Sequence, residues 1–187
     1  MSTENTPLIS DPLQQEAIRV CCGTEARVAA VTGQAGTGKT TILKQVYKSF
    51  EEAGFKVALA APTGKAAKRI AEATGLPAVT LHRLLEFTHP GDPDEKTGKP
   101  VGVSIPRRTR ENRLEQNVVL VDEYSMVHHQ LNRDLLDALP PGGLLRCFGD
   151  INQLPPIEED KSKANEDSPF KSLMKTFPKS VITLKNI

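Results

Sequence analysis

The sequence predicts an α/β fold with a mostly parallel central sheet flanked by helices, and three observations carry that prediction. Short apolar runs recur without polar alternation at 27–32, 56–60, 118–121 and 144–148, as strands covered on both faces require. Helical patterns lie between them in the rhythm of βαβ units. A glycine-rich segment, Gly33 to Thr40, joins the first apolar run to a helix.

Taken in order, Leu13, Ala17, Ile18 and Cys21 repeat at helical spacing, and Asp11 with Pro12 supplies an N-cap and a first helical position. Arg27 to Thr32 reads as a strand entering the glycine-rich loop, and the helix from Lys39 ends at Gly54. The stretch 87–117 breaks the rhythm with Pro, Gly and charge around a turn-like segment at 94–98, and reads as an inserted β-hairpin or long loop. The charged segment 158–168 reads as a surface loop, followed by a short helix near Phe170 and a last strand at Val181 to Leu184.

A chain of 187 residues accommodates one such domain, with enough interior to bury a sheet without disulfides. Its 38% hydrophobic and 25% charged content is ordinary for a soluble protein, and its apolar runs are too short to span a bilayer. Met1 to Pro12 has neither the basic nor the apolar region of a secretion signal, so the expected compartment is cytoplasmic and no membrane is expected as a partner. Cys21, Cys22 and Cys147 form no CxxC pair and read as reduced thiols; with His89, His128 and His129 they offer no zinc-ligand spacing. The net charge of +1 says nothing for or against nucleic acid, since a neutral whole can carry a basic groove.

Gly33-Gln34-Ala35-Gly36-Thr37-Gly38-Lys39-Thr40 fits the P-loop pattern in its required strand–loop–helix context. Backbone N–H groups and the helix N-terminus would hold phosphate oxygens, Lys39 would reach the β and γ phosphates, and Thr40 would offer a hydroxyl to Mg²⁺. Asp122 and Glu123 emerge at the carboxyl end of an apolar strand, where α/β sheets place ligands. There Asp122 would hold Mg²⁺, and Glu123 would deprotonate the water that attacks the γ-phosphate. The segment 149–156 (GDINQLPP) follows another strand, and the Gln153 amide can donate to a phosphate and accept from a water.

In combination these residues resemble the superfamily-1 DNA helicases of the RecD-like and Dda-like branch, which move 5′ to 3′ on single-stranded DNA. The likeness rests on the ordered segments at Gln14 to Ala17, GQAGTGKTT through Thr41, APTGKAA at Ala61 to Ala67, TLHRLL at Thr80 to Leu85, VDEYSM at Val121 to Met126, and GDINQLPP. It implies a RecA-like P-loop NTPase fold for 1–187, with ATP and Mg²⁺ bound and Gln14 reading adenine. Pro62, Thr63, Gly64 and Lys65, then Thr80, His82 and Arg83, would contact the strand. The insertion at 87–117 lies where relatives carry a small domain whose hairpin acts as a strand-separating pin. Arg107, Arg108, Arg110 and Arg113 in it suit either a nucleic-acid backbone contact or a solvated charge run.

Relatives continue into a second RecA-like domain that supplies arginines to the phosphates, whereas this sequence resembles a cut before that domain. An arginine finger is worth roughly 10³ to 10⁵ in rate, so the expectation is a weak ATPase that does not unwind DNA alone. The competing readings are a P-loop kinase or nucleotide-binding module not acting on DNA, and a docking module that keeps the fold without using its energy. The oligomeric state is unknown at this level.

Overall fold

The parallel strands expected from the apolar runs form one sheet in the computed structural model, which describes residues 11–93, 97–100, 102–153 and 167–185. The expectations for residues 94–96, 154–156 and 158–166 fall outside the described residues. Six strands, β1 (Val28–Thr32), β2 (Val57–Ala61), β3 (Val79–Thr80), β4 (Val118–Val121), β5 (Leu144–Gly149) and β6 (Val181–Thr183), run in the order β3-β2-β4-β5-β1-β6. Every pairing is parallel, so all carboxyl ends open on one rim.

Three layers follow from side-chain alternation along the strands. Ala29, Val31, Leu59, Val118, Leu120, Leu144 and Phe148 face α1 (Pro12–Cys22), α2 (Lys39–Glu52) and α3 (Gly64–Thr74). Val28, Ala30, Ala60, Val119, Val121 and Cys147 face the short α4 (Leu81–Leu84), α5 (His129–Ala138) and α6 (Pro169–Thr176). Complete burial of β4 on both faces explains its uninterrupted VVLV. On α2 the buried Ile42, Leu43, Val46, Tyr47 and Phe50 form one stripe at helical spacing, and each such side chain contributes about 1.5–3 kcal/mol.

Local signals set the helix ends. Asp11 accepts from the N–H of Gln14 at 2.8 Å and caps α1. Thr63 caps α3, and Gly75, at φ 71°, closes it with an N–H to the Ala71 carbonyl at 2.8 Å.

The insertion is tied across its arms by two isolated antiparallel bridges, Phe87 with Pro106 and Pro93 with Pro100. Among the described residues it builds no continuous ladder, because three of those four bridge positions are prolines, which lack the N–H a ladder uses. Three of its arginines are engaged by acceptors in the chain. Arg108 pairs with Glu86 at 2.6 Å, Arg110 with Asp137 at 2.7 Å, and Arg113 donates to the Leu139 carbonyl at 2.5 Å. Those contacts tie the insertion to its flanks, while the Arg110 side chain stays 68% exposed.

Candidate nucleotide-binding cleft

Because the strands are parallel, the loops after β1, β4 and β5 meet at neighbouring points of one rim, and β2 and β3 continue it toward the sheet edge. The loop after β1 turns on Gly36 at φ 84° and Gly38 at φ 88°, backbone conformations open to glycine. Its turn is held by the Thr37 hydroxyl donating to the Gln34 carbonyl at 2.9 Å and by the Gly33 N–H donating to the Gly149 carbonyl at 3.1 Å. Gly33 also admits no β-carbon, since one would stand 2.7 Å from the Thr37 hydroxyl.

Lys39 opens α2 and curls back over the loop, its ammonium donating to the carbonyls of Gly33 at 2.6 Å and Gln34 at 2.8 Å. It lines a cleft of about 380 Å³ together with Thr40, Asp122, Glu123, Gln153 and Arg69, floored by the backbone at Ala35, Gly36 and Gly38. Gly33 and Thr37 are buried and shape the loop, Gln34 is exposed beside it, and Thr41 is exposed on α2 outside the cleft. Gln14 reaches across from α1 and donates from Nε2 to the Thr37 carbonyl at 3.0 Å.

Asp122 is 6% exposed, and burial pushes its carboxyl above the usual range, while a hydrogen bond from the Glu123 backbone and the nearby charges of Arg69 and Lys39 pull it back. Glu123 sits in the left-handed region at φ 52°. One of its oxygens accepts from the Arg69 guanidinium and the other from the Gln153 amide at 3.4 Å. The Ser125 hydroxyl in turn donates to the Gln153 carbonyl oxygen at 3.2 Å. Arg69 and Ser125 went unremarked in the sequence. Arg69 lies four residues after Lys65, a spacing that places both on one helix face, but nothing in the sequence tells that this face meets Glu123.

Among the described residues no group of three or more His, Cys, Asp or Glu could hold a metal alone. A hydroxyl at Thr40 and a nearly buried carboxylate at Asp122 instead form a partial set of hard oxygen donors. Such a set fits Mg²⁺, which keeps waters and takes its remaining ligands from a nucleotide's phosphates.

The residues expected to contact a strand lie past β2 and β3. Thr63 and Thr80 are engaged as helix caps, accepting from Ala66 N at 3.2 Å and Arg83 N at 3.1 Å. Pro62 is half-buried, Gly64 and Lys65 are exposed on the first turn of α3, and His82 and Arg83 are exposed on α4. The His82 ring packs on Phe87, with centroids 4.7 Å apart. No helix among the described residues is long and apolar enough to cross a membrane.

The profile of a family described as "AAA domain" matches residues 14–159. The chain is 40% identical to the ATP-dependent RecD2 DNA helicase of Deinococcus radiodurans over 71% of its own length, and 41% identical to the RecBCD enzyme subunit RecD of Mycobacterium tuberculosis over 70%. These alignments span 16% and 24% of the two relatives, so the chain corresponds to a fraction of each. In structure it is similar to Bacteroides sp Pif1 in complex with ADP-AlF4, with a TM-score of 0.62 and 27% identity, covering 97% of this chain and 43% of that one.

Proposed function

The chain belongs to the AAA domain family and is a motor domain of the superfamily-1 helicase type, and on that premise we propose that it binds ATP with Mg²⁺ and serves an ATP-dependent helicase acting on single-stranded DNA. The observation that carries the reading is the convergence of Lys39, Thr40, Asp122, Glu123 and Gln153 on one cleft from three different loops.

Each group has a task in hydrolysis. The loop N–H groups and Lys39 hold the β and γ phosphates and offset their charge. Thr40 and Asp122 would hold Mg²⁺, which would supply positive charge against the phosphates. Glu123 accepts a proton from water as the water oxygen bonds to the γ-phosphorus. The bond from that phosphorus to the β–γ bridging oxygen breaks, and ADP and phosphate leave. Gln153, whose amide oxygen accepts from Ser125, would respond to the γ-phosphate and pass its loss to the loop after β5. Gln14 reads the adenine from beside the loop.

The finer readings rest on the family likeness. Pro62 to Lys65 with Thr80, His82 and Arg83 hold the strand; movement runs 5′ to 3′; the 87–117 insertion stands in the place of a strand-separating pin; the compartment is cytoplasmic. A second RecA-like domain completes the cleft with arginines, so residues 1–187 alone turn ATP over weakly and do not unwind. Titration with Mg-ATP, and phosphate release with and without a single-stranded oligonucleotide, test this. Failure to bind ATP, or transfer of phosphate to an acceptor other than water, would overturn it.

A further inference from the structure

Glu123 is the one carboxylate in the cleft whose two oxygens are both claimed by side chains from other elements, Arg69 on α3 and Gln153 after β5. Its side chain is 15% exposed while that of Arg69 is 66% exposed, so the ion pair joins an exposed guanidinium to a largely sheltered carboxylate. The left-handed backbone of Glu123, which a β-carbon disfavours, is the conformation in which the carboxylate meets Arg69. A carboxylate that abstracts a proton needs a free lone pair aimed at the water. Pairing with a guanidinium takes up a lone pair of Glu123 Oε1 that the water would otherwise meet.

Arg69 is itself carried by an element with two further exposed cations, Lys65 and Lys68. Lys65 and Arg69 are one helical turn apart on the same face of α3, about 6 Å along its axis. The helix is fixed at both ends by Thr63 and Gly75. Lys65 sits on its first turn, where unpaired backbone N–H groups also favour anions. A phosphodiester strand lying along this face would meet Lys65 first and Arg69 next.

We propose that Arg69 is a positioning residue that holds Glu123 inactive until a single-stranded nucleic acid takes its guanidinium, so that strand binding switches on water activation. The inference rests on the strand-binding reading given above. The guanidinium exchanges the Glu123 carboxylate for a strand phosphate, leaving Glu123 oriented by Gln153 alone and free to accept the proton of the attacking water. No covalent bond changes in this exchange. Because an ion pair whose guanidinium is mostly in solvent biases an equilibrium by no more than roughly fivefold, the switch is graded and a strand can throw it readily.

The test is single-turnover ATP hydrolysis by the full chain, without and with saturating oligothymidylate, for wild type, Arg69→Ala and Arg69→Lys, with nucleotide Kd measured alongside. Arg69→Ala should raise the rate without oligonucleotide by up to roughly fivefold and leave the saturated rate unchanged, so the stimulation factor shrinks in proportion. Its nucleotide Kd should stay at the wild-type value, and Arg69→Lys should restore most of the stimulation. If Arg69→Ala instead lowers both rates together, Arg69 assists the chemistry and the guard is refuted. A wild type that responds to oligonucleotide and keeps its stimulation factor in Arg69→Ala sinks the coupling alone. A wild type that hydrolyses ATP yet neither binds nor responds to oligonucleotide sinks the strand-binding reading, and the coupling with it.

Discussion

Gln14 Nε2 donates to the main-chain oxygen of Thr37 at 3.0 Å, which fastens the first turn of α1 to the phosphate loop across 23 residues of chain. The same nitrogen would stand 2.3 Å from a β-carbon built on Gly38, so side chain and loop are packed in direct contact. One polar group thus braces the loop.

Gln14→Ala removes that brace and is expected to weaken nucleotide binding about fivefold, corresponding to one hydrogen bond of about 1 kcal/mol. If Gln14 also reads adenine, the preference for ATP over GTP falls with it. Competition titration of the two nucleotides measures both, and an unchanged preference would leave Gln14 as a brace alone.

Gly38→Ala should be the more damaging change. Its φ of 88° is strained for any residue with a β-carbon, and the added carbon collides with the Gln14 amide. Nucleotide affinity is expected to fall at least about tenfold, more than strain of roughly 1 kcal/mol would cause by itself. Pairing the change with Gln14→Ala removes the collision but not the strain, so the double variant should recover only part of the loss.

Lys39→Ala separates stability from function. Among the described residues the ammonium donates to the carbonyls of Gly33 and Gln34, in a partly exposed position, and water can replace it there. The melting temperature should move by only a few degrees, in keeping with a change of under about 1 kcal/mol. Hydrolysis should drop by at least about 10² because the charge facing the phosphates is gone. Calorimetry and phosphate release together check the pair of outcomes, and a large loss of stability would show that the lysine holds the loop's shape.

Most of the frame, and the polar cleft residues other than Arg69, could be read in the chain because the signals were local. Val118 to Val121 announces a strand buried on both faces, and Asp122 and Glu123 follow it directly. The two-residue β3 had no such signal, since Val79 and Thr80 are too short to show a period. Arg69 looked like any exposed helical arginine; its meeting with Glu123, 54 positions away, is made by packing alone. Arg107 to Arg113 looked like a free basic cluster, and the acceptors of Arg110 and Arg113 lie on and just past α5, more than 20 residues downstream.

Arg146 was hidden for the opposite reason, as a charge inside the apolar run of β5. It is fully buried beside the end of α1, with Nε donating to the Cys21 carbonyl at 2.6 Å and Nη2 to the Gly23 carbonyl at 2.5 Å. Its guanidinium stands 5.6 Å from the centroid of the Phe50 ring. Burial draws it below the usual arginine value, yet the ring of carbonyl acceptors keeps it a viable cation. Arg146→Ala should destabilise the fold by about 3–5 kcal/mol, as the loss of a buried, fully bonded charge does, because it strands those carbonyls and opens a cavity. Arg146→Lys should rescue little, since one ammonium cannot span acceptors that a planar fork reaches. Urea unfolding of the two variants decides it, and a loss under about 1 kcal/mol for Arg146→Ala would mean that water satisfies the carbonyls.

Cys21 lies on the same seam, and its burial pushes the thiol from an ordinary 9.0 up to about 12. The unfolded chain therefore loses this proton at lower pH than the folded one. Below 9.0 both states keep it and the site is neutral toward stability; between 9.0 and about 12 unfolding releases a proton, so stability falls as pH rises. One pH unit above the ordinary value costs about 1.4 kcal/mol, and Cys21→Ala should abolish that part of the alkaline slope. The same burial predicts that Cys21 and Cys147 resist thiol reagents at neutral pH while the half-buried Cys22 reacts, all three becoming available together on unfolding. Labelling kinetics followed by mass spectrometry reads this directly. Rapid modification of Cys21 in the folded chain would mean that the end of α1 opens locally, and the alkaline slope should then be absent as well.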